Sequence, residues 1–164
     1  MPIRPPPIDY IAKTREQYTA LGHAPYRWVE SEEPPPMVRP RLPVSESRLA
    51  LISSGGVYVE GQIAFHHRDD TSFRVIDSDV PVSRLRTSHF AYDQTDARRD
   101  PNVVFPIEPL RRLVEEGKLG GLGPNAYSFM GGIYSARRVR ERLAPALADR
   151  LLADRVDLAL LVPV

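Results

Sequence analysis

Two runs of consecutive apolar residues, Leu49-Ala50-Leu51-Ile52 and Leu158-Ala159-Leu160-Leu161-Val162, constrain this chain more than any other feature of its sequence. A strand with one wet face alternates apolar and polar residues. An unalternated run of four or five suits a strand covered on both faces, as in a parallel sheet whose crossover helices lie on either side. The first run empties into Ser53-Ser54-Gly55-Gly56. Ligands of open α/β sheets bind beyond the carboxyl ends of the strands, so Ser53, Ser54, Gly55 and Gly56 are candidate substrate-binding residues. The paired glycines would equally serve a turn that needs positive φ.

The segments between the runs supply the rest of a layered fold. Ile8 to Leu21 and Pro106 to Glu116 carry helical apolar spacing and end at Gly22 and Gly117. Ser135 caps a third helix, which Pro145 either kinks or restarts. Ser72 to Asp77 reads as a short strand, and Ala126 to Tyr134 as another apolar segment broken by Gly131-Gly132. Strand, helix and strand in this order predict an α/β fold, a parallel or mixed sheet flanked by helices and Rossmann-like, with both apolar runs internal. Residues 1–47 form an N-terminal helix and a proline-rich arm that carries Tyr26 and Trp28; residues 48–164 form the α/β domain. Nothing follows Val164 to cover the last strand, so the sheet reads as incomplete at its C-terminus.

Charge narrows the partners. With 22 basic and 21 acidic residues the chain gives no reason to expect nucleic acid or an anionic membrane. No apolar run approaches the ~20 residues of a membrane span, and the start lacks a signal-peptide core, so a cytoplasmic protein is expected. Cysteine is absent, which excludes a thiol nucleophile or thiolate metal site within these residues. His66, His67, Asp69 and Asp70 contain metal-ligating types, yet neighbouring side chains on extended backbone point apart, and the segment reads as a solvated loop without a metal. The densest chemistry lies in Leu85 to Pro109, where His89, Tyr92, Asp93, Asp96 and Asp100 fall within twelve positions. His89 and Asp93 would align as acid and base only on helical backbone; the alternative is an Asp-rich turn whose carboxylates cap amides. Tyr127 to Gly132, with Tyr127 and Gly131 as candidate substrate-binding residues, would form the opposite wall of a crevice shared with Ser53 to Gly56, His89 and Asp93.

Gly55-Gly56-Val57, Leu85 to Asp100, Asn102-Val103-Val104-Phe105-Pro106 with the helix after it, Tyr127-Ser128-Phe129-Met130-Gly131 and Val156 to Val164 together resemble the glycine/sarcosine/betaine and D-proline reductase selenoprotein B family. The resemblance runs from about Arg48 to the end. It implies an oxidoreductase component for reductive cleavage of a C–N bond in an amino-acid-like substrate, working with protein partners of a reductase complex. In that family an apolar strand similar to Leu158 to Val164 leads into a selenocysteine or cysteine followed three positions later by cysteine. The resemblance therefore implies no cofactor within this chain and a selenocysteine or cysteine redox centre beyond Val164, with an in-frame UGA as the expected reason for the stop. Relatives carry more histidine where this chain has Ala91 and Gln94. The roles implied here are supporting ones: His89 as proton donor to the leaving amine, Asp93 as its orienting partner, and the Ser53 to Gly56 amides as donors to a substrate carboxylate. The other readings are a non-catalytic binding domain that has lost the redox centre, and a metal-dependent enzyme using His66, His67 and His89.

Overall fold

A computed structural model describes residues 8–36 and 38–164, and the chain divides into two units, residues 1–37 and 38–164. In the first, helix α1 (Tyr10–Ala20) starts where the Asp9 carboxylate accepts the Ala12 amide. Tyr18 on α1 meets Tyr26 edge-on, and Tyr26 meets Trp28 in the same way, so Tyr26 packs on the helix and Trp28 on Tyr26.

In the second unit the elements follow as β1 (Arg48–Ser53), β2 (Val57–Val59), β3 (Phe73–Asp77), β4 (Leu85–Thr87), α2 (Thr95–Arg99), α3 (Ile107–Glu115), β5 (Gly121–Leu122), β6 (Asn125–Phe129), α4 (Ala136–Arg138), α5 (Ala144–Ala153) and β7 (Leu158–Val162). β7 lies parallel along the whole of β1, from Leu49 opposite Leu158 to Ser53 opposite Val162. It therefore fills one edge of β1, and β5 and β6 share the other, with Arg48 opposite Gly121 and Ile52 opposite Tyr127. β3 adds antiparallel to β6, so the sheet is mixed. β2 and β4 form a separate antiparallel ribbon.

The pleat sends alternate residues to two cores. Leu51, Ile76 and Ala126 face one side, where they pack with Val104, Phe105, Ile107 and Leu110 from the α3 region and with Val57 and Leu85 of the ribbon. Ile52, Val75 and Tyr127 face the other, against Leu143, Leu147 and Leu151. A helix continuing through Pro145 would ask that residue for an amide it lacks. A π turn over Val139–Leu143 precedes α5, and Pro145 falls in the first turn of α5.

The expectation of two internal strands holds for β1 and fails for β7. Among the described residues β7 pairs only with β1, and Leu161 is 67% exposed because α5 packs over β6 and β1 instead. Its apolar run marks a strand whose second face and second edge no described residue covers.

Candidate functional site

The Ser53 to Gly56 loop is a junction whose Ser54, Gly55 and Gly56 amides are spent inside the fold. Ser53 is fully buried; its hydroxyl donates to the Val104 carbonyl at 2.7 Å and accepts the Gly55 amide at 3.0 Å. The Ser54 amide donates to Val162 O, the Gly56 amide to Phe129 O and the Val57 amide to the Ser128 hydroxyl. Of the amides expected to bind a carboxylate, those of Ser54, Gly55 and Gly56 thus already have acceptors within the fold. What the loop does is hold other parts together. Ser54 O accepts the Gly131 amide, Ser54 Oγ accepts the Val164 amide at 2.9 Å, and Gly55 O accepts the Tyr92 hydroxyl at 2.9 Å.

Gly56 makes the approach of His89 possible. Its φ of +67° disfavours any side chain, and a Cβ there would stand 2.1 Å from Ser88 O and 3.5 Å from His89 Cδ2. His89 thus borders the glycine pair. It is 4% exposed, and its Nδ1 accepts the Ala91 amide at 3.0 Å, so in the neutral ring Nε2 carries the proton. That Nε2 has no partner. Burial pushes the His89 pKa below the ordinary imidazole value, and His67 adds to the shift. Thr87 Oγ1 and Gln94 Oε1 are also buried without partners, while the Gln94 amide nitrogen donates to His89 O. A buried polar atom left unpaired costs roughly 1–3 kcal/mol, and here three such atoms fall within residues 87–94.

Two expected site residues lie elsewhere. Asp93 is exposed, and its Oδ1 accepts both the amide and the hydroxyl of Thr95 at the start of α2. Those bonds hold its pKa below the usual carboxylate value. It does not orient His89, because the backbone from residue 89 to 94 is irregular and a four-residue spacing has no alignment there. Tyr127 is fully buried on the α5 face, with its hydroxyl on Asp154 just after α5. The period of two that turns Ser128 toward the Val57 amide turns Tyr127 away from His89. Burial, with the Asp154 carboxylate, raises the Tyr127 pKa. Gly131 does lie at the site, against Ser54.

The 65–70 loop, expected as a solvated polar segment, has a structural role that the sequence did not indicate. Asp69, at φ +46°, accepts the Tyr134 amide at 2.6 Å and the Ser135 amide at 3.1 Å, and so straps this loop over the chain leaving β6. His67 Nε2 comes within 3.5 Å of Ser88 Oγ, beside His89. Charges and imidazoles in a row signal a polar loop; they carry no signal for which distant amides Asp69 will cap. Among the described residues no group of three or more His, Asp or Glu is placed to hold a metal ion. None of their helices is long and apolar enough to cross a membrane.

The buried imidazole, the glycine pair and the end of β7 therefore gather at the carboxyl ends of β1 and β6. A cleft of about 120 Å³ lined by Ile52, Ser54, Phe129, Leu161, Val162 and Pro163 opens at the same end. Residues 29–163 match glycine/sarcosine/betaine reductase selenoprotein B. The chain belongs to this family. Among curated relatives, the gamma subunit of D-proline reductase from Acetoanaerobium sticklandii is 36% identical over 129 residues, covering 78% of this chain and 53% of that protein. The gamma subunit of glycine reductase complex component B from Symbiobacterium thermophilum is 30% identical, covering 76% of this chain and 30% of that protein. The beta subunit of betaine reductase complex component B from Peptoclostridium acidaminophilum is 28% identical, covering 70% and 27%. The chain thus spans about half the length of the first and under a third of the other two. No solved structure matches the chain.

Proposed function

We propose that this chain is part of a component of an amino-acid or betaine reductase complex, and that His89 serves the reductive cleavage of the substrate's C–N bond. The observation that carries the reading is the neutral, buried His89 whose Nε2–H has no partner, held against Gly56 at the carboxyl ends of the strands. In the overall reaction a dithiol becomes a disulfide, the C–N bond is replaced by C–H, and the amine leaves with the electron pair of the broken bond. A selenolate or thiolate would supply the nucleophile. The 164 residues contain no cysteine, so it would come from polypeptide beyond Val164 or from a partner.

The residues present fit such a nucleophile in one respect. The Val164 amide donates to Ser54 Oγ, which ties the exit of β7 to the loop that borders His89. His89 Nε2–H would then donate a hydrogen bond to the nitrogen as it departs with the electron pair, keeping its own proton, and the strapped 65–70 loop would limit water. Asp93 has no part in this arrangement, and Ser53, Gly55 and Gly56 act as scaffold.

The test is dithiol-dependent release of amine from glycine, betaine and D-proline by the complex purified on this protein from its own host. His89→Leu, which removes the N–H donor, is expected to lower kcat roughly 10²- to 10³-fold with little change in KM, the range of a lost preorganised donor. An unchanged kcat removes His89 from the chemistry. Absence of release from every substrate, with the complex intact, favours the non-catalytic binding domain.

A further inference from the structure

Beside His89 the surface carries a run of aromatic rings that the hydrogen-bonding role of its imidazole does not use. Phe90 stacks on His89 with ring centres 5.8 Å apart and planes at 21°, and Tyr134 continues the series at 6.5 Å and 20°. His67 closes the side at 6.0 Å from Phe90. The rings step outward from the buried imidazole, with Phe90 41% and Tyr134 62% exposed. Phe90 is fixed in place: it lies on the backbone of Gly132, where a Cβ would stand 2.4 Å from two of its ring carbons. Tyr134 is fixed through its backbone, whose amide donates to Asp69. An exposed phenyl ring locked by a glycine beneath it and a parallel ring beside it is a preformed platform, which lowers the ordering cost of binding.

We infer that the Phe90–Tyr134 platform binds the cationic nitrogen of an N-alkylated ammonium substrate. Ring faces attract ammonium groups, and the attraction persists at partly exposed sites. His89 is compatible with this ligand because it is held neutral, and its Nε2–H lies at the inner end of the ring series. The inference rests on the reductase reading for the identity of the ligand, while its test does not require turnover.

The purified protein is titrated with choline and with 3,3-dimethyl-1-butanol, its neutral isostere, and ring-proton shifts are followed by NMR. Choline is expected to bind at least about fivefold more tightly than the alcohol, with Phe90→Leu and Tyr134→Leu each weakening choline at least about threefold and Phe90→Tyr restoring it. Each variant is paired with a thermal melt, and Tyr134→Leu on the exposed ring guards against a Phe90 variant that fails to fold. Equal binding of choline and the alcohol, no binding of choline, or affinity indifferent to both leucine variants overturns the inference. Loss of choline binding with His89-dependent amine release intact would sink the platform alone; platform binding without amine release would sink the reductase reading alone.

Discussion

His89 and Gly56 illustrate how single residues set the character of this protein. Below the ordinary imidazole value of 6.5, unfolded chains take up a proton at this position that folded His89 resists, because burial, and then His67, disfavour the charged ring. The unfolded state therefore binds more protons, and stability present above about pH 6.5 is lost as the pH falls toward the depressed folded value. Thermal melts should show a decline from about pH 7 to 5.5 that His89→Gln reduces. Asp93 does not contribute in that window, since its own pKa is lowered below the carboxylate range. Gly56→Ala combines a left-handed φ with a backbone clash at Ser88 O. It should cost at least about 2 kcal/mol in denaturant titrations, whereas Gly117→Ala, with the same φ of +67° and open space around it, should cost about 1 kcal/mol.

At the level of elements, the bond from Tyr127 on β6 to Asp154 at the end of α5 fixes one helix on one strand. Tyr127→Phe should lower stability by about 1–2 kcal/mol in a urea titration without altering amine release, because the hydroxyl lies on the face away from His89. A comparable loss of activity would return Tyr127 to the site. The same pair shows what the sequence could and could not reveal. The apolar run of β1, the glycine that ends α3 and the Ser135 cap, whose hydroxyl accepts the Arg138 amide, are written in local residue types, and the helices and strands were legible there. Which face of β6 meets the site depends on register against β1, and a shift of one residue exchanges Tyr127 for Ser128. Likewise Asp93 was read as a partner of His89, but Thr95, two residues on, offers an amide and a hydroxyl at no cost in chain closure. The 65–70 loop read only as a solvated polar segment because its role arises from amides more than sixty residues away.

For the whole molecule the open side of β7 dominates. Leu161 is 67% exposed, Leu160 and Val164 are partly so, and among the described residues the outer edge of the strand is unpaired. Such an edge promotes pairing between chains. Leu161→Lys should reduce concentration-dependent self-association in analytical ultracentrifugation while moving stability by no more than about 0.5 kcal/mol. Unchanged association would place the contact elsewhere.

The position of β1 between late strands also dictates when the sheet can assemble. Its start is joined to Asp157 across 109 residues of chain, and the loop after it reaches Ser128 across 71. A ribosome therefore releases the most buried strand well before either neighbour exists, and the nascent chain carries Leu49 to Ile52 unpaired through most of its synthesis. Contacts of such range fold slowly and expose this segment to aggregation meanwhile. Yield in the cell should thus depend on elongation rate and holding chaperones more than the finished fold would suggest.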